Sequence, residues 1–165
     1  MSRPKPNETL TEVVCRVLEQ TAFLFPDAAE DTGDNVFEEY QPVMATIRFH
    51  GKHTGEMSMI VPFELCTELS ANMLGEEVDE IDSKEKVLDA FKEILNIITG
   101  QMLTEIYGDQ AIFNLSPPEI KEISAEEISV SVGNHEYSIC RSDDYPIITI
   151  LTQTKAADEY QSIGG

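Results

Sequence analysis

Hydrophobic positions along the chain change period several times. Val13, Val14, Val17, Leu18 and Ala22 follow helical spacing, and Thr9 with Glu12 reads as the capping box that starts this helix. It ends before Pro26, and Asp27 to Asn35 reads as an acidic loop around Gly33. The pattern then becomes alternating: Val43, Ala45, Ile47 and Phe49 interleave with Met44, Thr46 and Arg48. Beyond a turn from His50 to Gly55, the segment Glu56 to Val61 continues the alternation, predicting an antiparallel hairpin. Pro62 opens a second helix over Leu65, Leu69 and Met73, with Gly75 placed to end it in a left-handed cap. After the acidic stretch Glu76 to Asp82, the longest helix starts at Ser83 and runs to Tyr107, with Gly108 behind it. Strands are predicted at Ile112 to Leu115, interrupted by Ser116-Pro117-Pro118, and at Ile128, Val130 and Val132 up to a Gly133-Asn134 turn. Two more follow at Tyr137, Ile139 and Cys140, and, after the polar turn Arg141 to Asp144, at Ile147 to Leu151.

This order predicts an α+β domain, with about three helices packed on a largely antiparallel sheet of about six strands. The folded part is expected over 8–155, between a flexible N-terminus at 1–7 and a flexible tail at 156–165.

Composition narrows the function classes. The chain of 165 residues holds 11 Lys plus Arg against 31 Asp plus Glu, a formal net charge of −20, while 41% of its residues are hydrophobic. A core is therefore available, and the acidity belongs to the surface. No basic stripe exists to neutralise phosphates, so nucleic acid and anionic membrane surfaces are not expected partners. No apolar run approaches the roughly 20 residues that span a bilayer. Arg3 and Lys5 are followed by no apolar segment, so no secretory leader is read, and a cytoplasmic location is expected. The three cysteines, Cys15, Cys66 and Cys140, are widely spaced and suit reduced thiols in a core.

The long helix has two sides. Val87, Phe91, Ile94, Ile98 and Met102, with Leu88, Leu95 and Ile106 adjacent, form a core stripe. Opposite them, Asp89, Glu93, Asn96 and Gly100 fall on one ridge, bordered by Lys86 and Thr104. Most polar helix faces are simply solvated, and wheel geometry names no chemistry. Gly100 nevertheless leaves bare backbone inside a long helix, at a cost of about 1 kcal/mol relative to Ala.

The string Asp89-x-x-x-Glu93-x-x-Asn96-x-x-x-Gly100, followed by Ser116-Pro117-Pro118, resembles the CheC/CheX/FliY family of chemotaxis phosphatases. The Gly55-Glu56 strand start, the helix end Asn72-Met73-Leu74-Gly75 and the terminal strands resemble the CheX type in order and spacing, over roughly residues 8–155. One copy of the motif is present; Glu68 with Asn72 has the wrong spacing for a second, which separates the chain from the two-motif CheC type.

The resemblance implies a CheX-like phosphatase acting on the phospho-aspartate of a CheY-like response regulator. It implies that Asn96 orients the attacking water and that Glu93 docks to the regulator's lysine, these two being the expected catalytic residues. Asp89 and Gly100 are the expected partner-binding positions. It also implies Mg²⁺ supplied by the regulator, no cofactor or metal held by this chain, and a homodimer formed through the sheet. The alternative is a non-catalytic module that binds a response regulator.

The remaining candidates read as structure. His50-x-x-His53 lies in a predicted turn with no third ligand, and His135 lies near a turn. The run Glu76, Glu77, Asp79, Glu80, Asp82 lacks calcium-loop spacing. Met57, Met59, Met73 and Met102 are core fillers, and Cys140 lacks a partner motif for a nucleophile.

Overall fold

The computed structural model describes residues 5–29 and 36–154. Its elements are α1 (Glu8–Ala22), β1 (Asp27–Ala28), β2 (Pro42–Gly51), β3 (Thr54–Pro62), α2 (Phe63–Leu74), a 3₁₀ turn (Val78–Glu80), α3 (Lys84–Tyr107), β4 (Phe113–Leu115), β5 (Glu119–Glu122), α4 (Ala125–Val132), β6 (Glu136–Ser142) and β7 (Tyr145–Thr154). The seven strands form one sheet in the order β1-β6-β7-β3-β2-β4, with β5 also paired to β2, and every pairing is antiparallel. The α+β class and the antiparallel sheet agree with the pattern reading. The described residues hold four α-helices and seven strands, against about three and about six expected.

Alternation along the strands divides the core between two faces. On one, Val43, Ala45, Ile47, Phe49, Met57, Met59, Val61, Cys140, Ile147 and Leu151 pack beneath α1, α2 and α3. On the other, Ile60, Tyr137, Ile139, Ile148 and Ile150 pack with Phe37, Ile123 and α4's Ile128 and Val132. The hairpin register, Val43 opposite Val61 through Phe49 opposite Gly55, puts its large side chains under α3. Gly55 is required there, because a Cβ would collide with the Thr152 carbonyl oxygen and come within 2.6 Å of the Phe49 ring.

Several local expectations are corrected. The first helix is capped by Asn7 and not by a Thr9 box: the Asn7 Oδ1 accepts from the Leu10 N–H at 2.8 Å, leaving Thr9 inside the helix. Asn7 also donates its own N–H to the Tyr137 carbonyl at 2.7 Å. The acidic loop begins as strand β1, Asp27 opposite Arg141 and Ala28 opposite Cys140; residues 30–35 lie outside the described residues. The hairpin turn predicted from His50 to Gly55 is shorter, since strand structure runs to Gly51 and resumes at Thr54.

The largest correction is α4. Ile128, Val130 and Val132 alternate in the sequence but lie on a helix, because Ser124 and Glu127 form a reciprocal capping box at 3.2 Å each way. Ile128 and Val132, four apart, are buried, whereas Val130 is 79% exposed. Beyond the Pro117-Pro118 pair, β5 extends the sheet where no strand was expected. Ser116 bridges the gap by accepting the Arg48 N–H on its hydroxyl at 2.9 Å and donating its own N–H to the Arg48 carbonyl at 2.8 Å. The expected tail at 156–165 lies outside the described residues.

Candidate active site

The predicted ridge lies along one exposed line of α3. Ser83 caps this 24-residue helix by accepting the Lys86 N–H at 3.3 Å, and Gly108 ends it with a positive φ of 87° while its N–H reaches the Thr104 carbonyl at 2.8 Å. Val87, Ala90, Phe91, Ile94, Leu95, Ile98, Thr99, Met102 and Leu103 are buried. Ile106, predicted to border that stripe, is instead 39% exposed, while Tyr107 beside it packs against the core.

With that face anchored, Asp89, Glu93 and Asn96 stand exposed and Gly100 half-buried along the opposite line. Asp89 meets Lys92 at 3.9 Å, an exposed pair that contributes little to stability. Among the described residues, Glu93 and Asn96 have no hydrogen-bond or ion-pair partner, so the carboxylate and both ends of the carboxamide are available to another molecule. A Cβ on Gly100 would meet no atom within 4 Å, so nothing in the packing of the described residues requires glycine there. The structure thus brings Asp89, Glu93, Asn96 and Gly100 onto one surface, while Pro117 and Pro118 belong to the sheet edge.

A groove of about 840 Å³ opens beside the first turns of α3, lined by Tyr40, Phe63, Val87, Leu88 and β5 residues; Glu93, Asn96 and Gly100 do not line it. The ridge residues Glu93, Asn96 and Gly100 therefore stand outside this groove. Among the described residues, no group of three or more His, Cys, Asp and Glu is placed to hold a metal ion. His53 stacks on Tyr107 with ring centroids 4.2 Å apart, tying the hairpin turn to the end of α3.

The cysteines are free thiols. The hydrogen bond between Cys15 on α1 and Cys140 on β6, together with burial, pushes the Cys140 thiol well above its ordinary value and so keeps it protonated. Burial pushes Cys66 up as well. The pattern reading passed over Phe23 and Phe25, which are 62% and 70% exposed at the end of α1; apolar residues just before a proline read like ordinary core.

Fold and ridge together define an α+β domain that carries exposed, unpartnered polar groups along one helix. A family model described as chemotaxis phosphatase CheX matches residues 43–140, a span that includes the whole ridge. The chain belongs to the CheX family of chemotaxis phosphatases.

Solved structures of the same fold include the chemotaxis protein CheX from Vibrio vulnificus, with a TM-score of 0.68 and 20% identity over 88% of this chain and 93% of that one. A CheX–CheY complex with BeF₃ and Mg²⁺ from Borrelia burgdorferi has a TM-score of 0.60 and 20% identity over 88% and 96% of the two chains. A FliY from Thermotoga maritima has a TM-score of 0.53 and 12% identity over 94% and 93%. No curated protein sequence matches this chain. No helix among the described residues is long and apolar enough to cross a membrane.

Proposed function

We propose that this chain is a phosphatase that removes the phosphoryl group from the aspartate of a CheY-like response regulator, acting through the α3 ridge. The observation that carries this reading is the exposed line on which Glu93 and Asn96 have no partner among the described residues, beside a Gly100 that the fold does not require, in a chain of the CheX family.

Acyl-phosphate hydrolysis needs a water aligned with the bond between phosphorus and the aspartyl oxygen. That bond breaks as the new P–O bond forms, releasing the regulator's carboxylate and inorganic phosphate, so the catalyst's task is mainly positioning. A carboxamide suits it: the Asn96 oxygen accepts a hydrogen bond from the water while its NH₂ donates to a phosphoryl oxygen. Glu93, one turn earlier, is the docking group for the regulator's active-site lysine, a charge-assisted bond that would set the helix in the cleft. Asp89 and Gly100 extend the contact along the same line. Mg²⁺ belongs to the regulator in this scheme, and the chain is expected to act as a cytoplasmic homodimer. An exposed helix ridge outside the groove suits insertion into another protein's cleft better than enclosure of a small molecule.

The test is the decay of a phosphorylated CheY-like regulator in Mg²⁺, alone, with this chain and with its Asn96→Ala variant. Faster decay with the chain, reduced roughly 100-fold in the variant while binding persists, is the expected result. Glu93→Ala should chiefly raise KM. Binding without any acceleration would overturn the phosphatase reading in favour of a non-catalytic regulator-binding module.

A further inference from the structure

The end of α1 carries a feature that the core does not explain. Phe23 caps the helix in the left-handed conformation, φ 55° and ψ 34°, which bulky residues rarely adopt, and its ring is 62% exposed. A glycine or asparagine would hold that conformation with less strain and would leave no ring in water. Phe25 is 70% exposed in the next residues, although Leu24 between them is buried.

Four hydrogen bonds set the direction in which α1 lies along α3. Arg16 reaches both Gln101 and Glu105 of α3 at 3.4 Å. At the far end of α1, the Ala22 carbonyl accepts from Asn72 Nδ2 at 2.8 Å, and Ser70, two residues before Asn72 on α2, donates to the Lys86 carbonyl in the first turns of α3 at 3.4 Å. Helix α1 therefore runs antiparallel to α3. Phe23 lies about two turns beyond Arg16, which brings it level with the part of α3 about two turns back from Gln101, where Glu93 and Asn96 stand. The Asn72 contact also brings Leu74, 52% exposed, to the same end of the domain. Exposed apolar side chains thus gather at the end of α1, level along the helix axes with the polar ridge, and apolar patches rimmed by polar groups are typical of protein-contact surfaces.

We propose that Phe23, flanked by Phe25 and Leu74, is the apolar anchor through which this chain grips the receiver domain that its α3 ridge addresses. The inference rests on the proposed function for the partner's identity. Phe23 is a positioning residue, acting on affinity and not on the reacting atoms.

The experiment compares the wild-type chain, Phe23→Asn and Asn96→Ala for turnover of a CheY-like receiver labelled with acetyl phosphate. The same three proteins are titrated against that receiver loaded with beryllofluoride and sized by sedimentation. Asparagine tolerates the left-handed cap, so Phe23→Asn should melt no lower than wild type. Its KM and its Kd for the loaded receiver should rise roughly tenfold, with kcat within about twofold. Turnover that depends on Asn96 but a KM and Kd unmoved by Phe23→Asn would overturn the anchor and leave the phosphatase reading standing. Binding without turnover, weakened in Phe23→Asn, would overturn the phosphatase reading and support the anchor. A wild-type chain that binds no receiver overturns the anchor, as does loss of a dimer in Phe23→Asn with KM unchanged, which would assign the patch to a second copy of the chain.

Discussion

Gly55 and Gly100 lie in opposite circumstances. At Gly55, on β3, a side chain has nowhere to go: a Cβ would strike the Thr152 carbonyl oxygen on the neighbouring strand, the Phe49 ring and the Gln153 backbone. At Gly100, on α3, a Cβ would enter open space. The first glycine is explained inside the molecule. The second costs helix stability and is offset by no contact among the described residues; the proposed partner contact would account for it.

The largest expected effect falls on the first site. Gly55→Ala drives a methyl group into strand backbone that cannot rotate away, and should cost about 3 kcal/mol, read as a lower urea midpoint with an unchanged slope. An alanine variant of wild-type stability would mean that β3 and β7 separate easily, and the contrast between the two glycines would collapse.

Gly100→Leu tests the other side. Because the position is open and Leu is a better helix former than Gly, the variant should melt no lower than wild type, yet a branched side chain projecting from the middle of the ridge should lower kcat/KM for a phosphorylated CheY-like receiver by tenfold or more, roughly 1.4 kcal/mol. Unchanged kinetics would show that no partner approaches the backbone there.

The two sites also differ in how the sequence exposes them. Helix α3 was legible because its period persists over 24 residues between the Ser83 cap and Gly108, and that length defines the core stripe and so the ridge opposite it. The β2–β3 hairpin was legible for the corresponding reason, an unbroken alternation that leaves one face under the helices. What was not legible was short or non-local. Strand β1 exists because Asp27 and Ala28 find Arg141 and Cys140, residues far along the chain. Strand β5 has little apolar pattern and forms because β2 offers it an edge. The antiparallel run of α1 along α3 rests on contacts such as Arg16 with Gln101 and Glu105, far apart in the chain, which no local pattern encodes. The ridge residues were visible by position, but their chemistry came from likeness to a family.

Helix α4 shows how a cap overrides alternation in a short element. Ser124→Ala removes the hydroxyl that accepts the Glu127 N–H at 3.2 Å and should cost about 1 kcal/mol, visible as earlier amide exchange over 125–132. The same box, through the Ser124 backbone N–H first and Lys121 after it, holds the Glu127 carboxyl below its ordinary value. A depressed carboxylate stabilises the fold above its unfolded value, so this contribution is present at neutral pH and lost as the pH falls through the depressed folded value. Unchanged exchange in Ser124→Ala would mean that Ile128 and Val132 hold the helix by packing alone.

The smallest effect is the sharpest statement of the contrast. Gly100→Ala adds one methyl group to an exposed helix position without any contact, and it reduces the freedom of the unfolded chain, so it should raise stability by about 0.8 kcal/mol. The same substitution at Gly55 should destabilise, so the two single-methyl variants are expected to move the urea midpoint in opposite directions. If Gly100→Ala gains stability while kcat/KM for the receiver falls, the bare backbone is held for the partner at the fold's expense. If it gains stability with kinetics unmoved, the ridge can carry a methyl group at Gly100, and the partner's close approach must lie nearer Glu93 and Asn96.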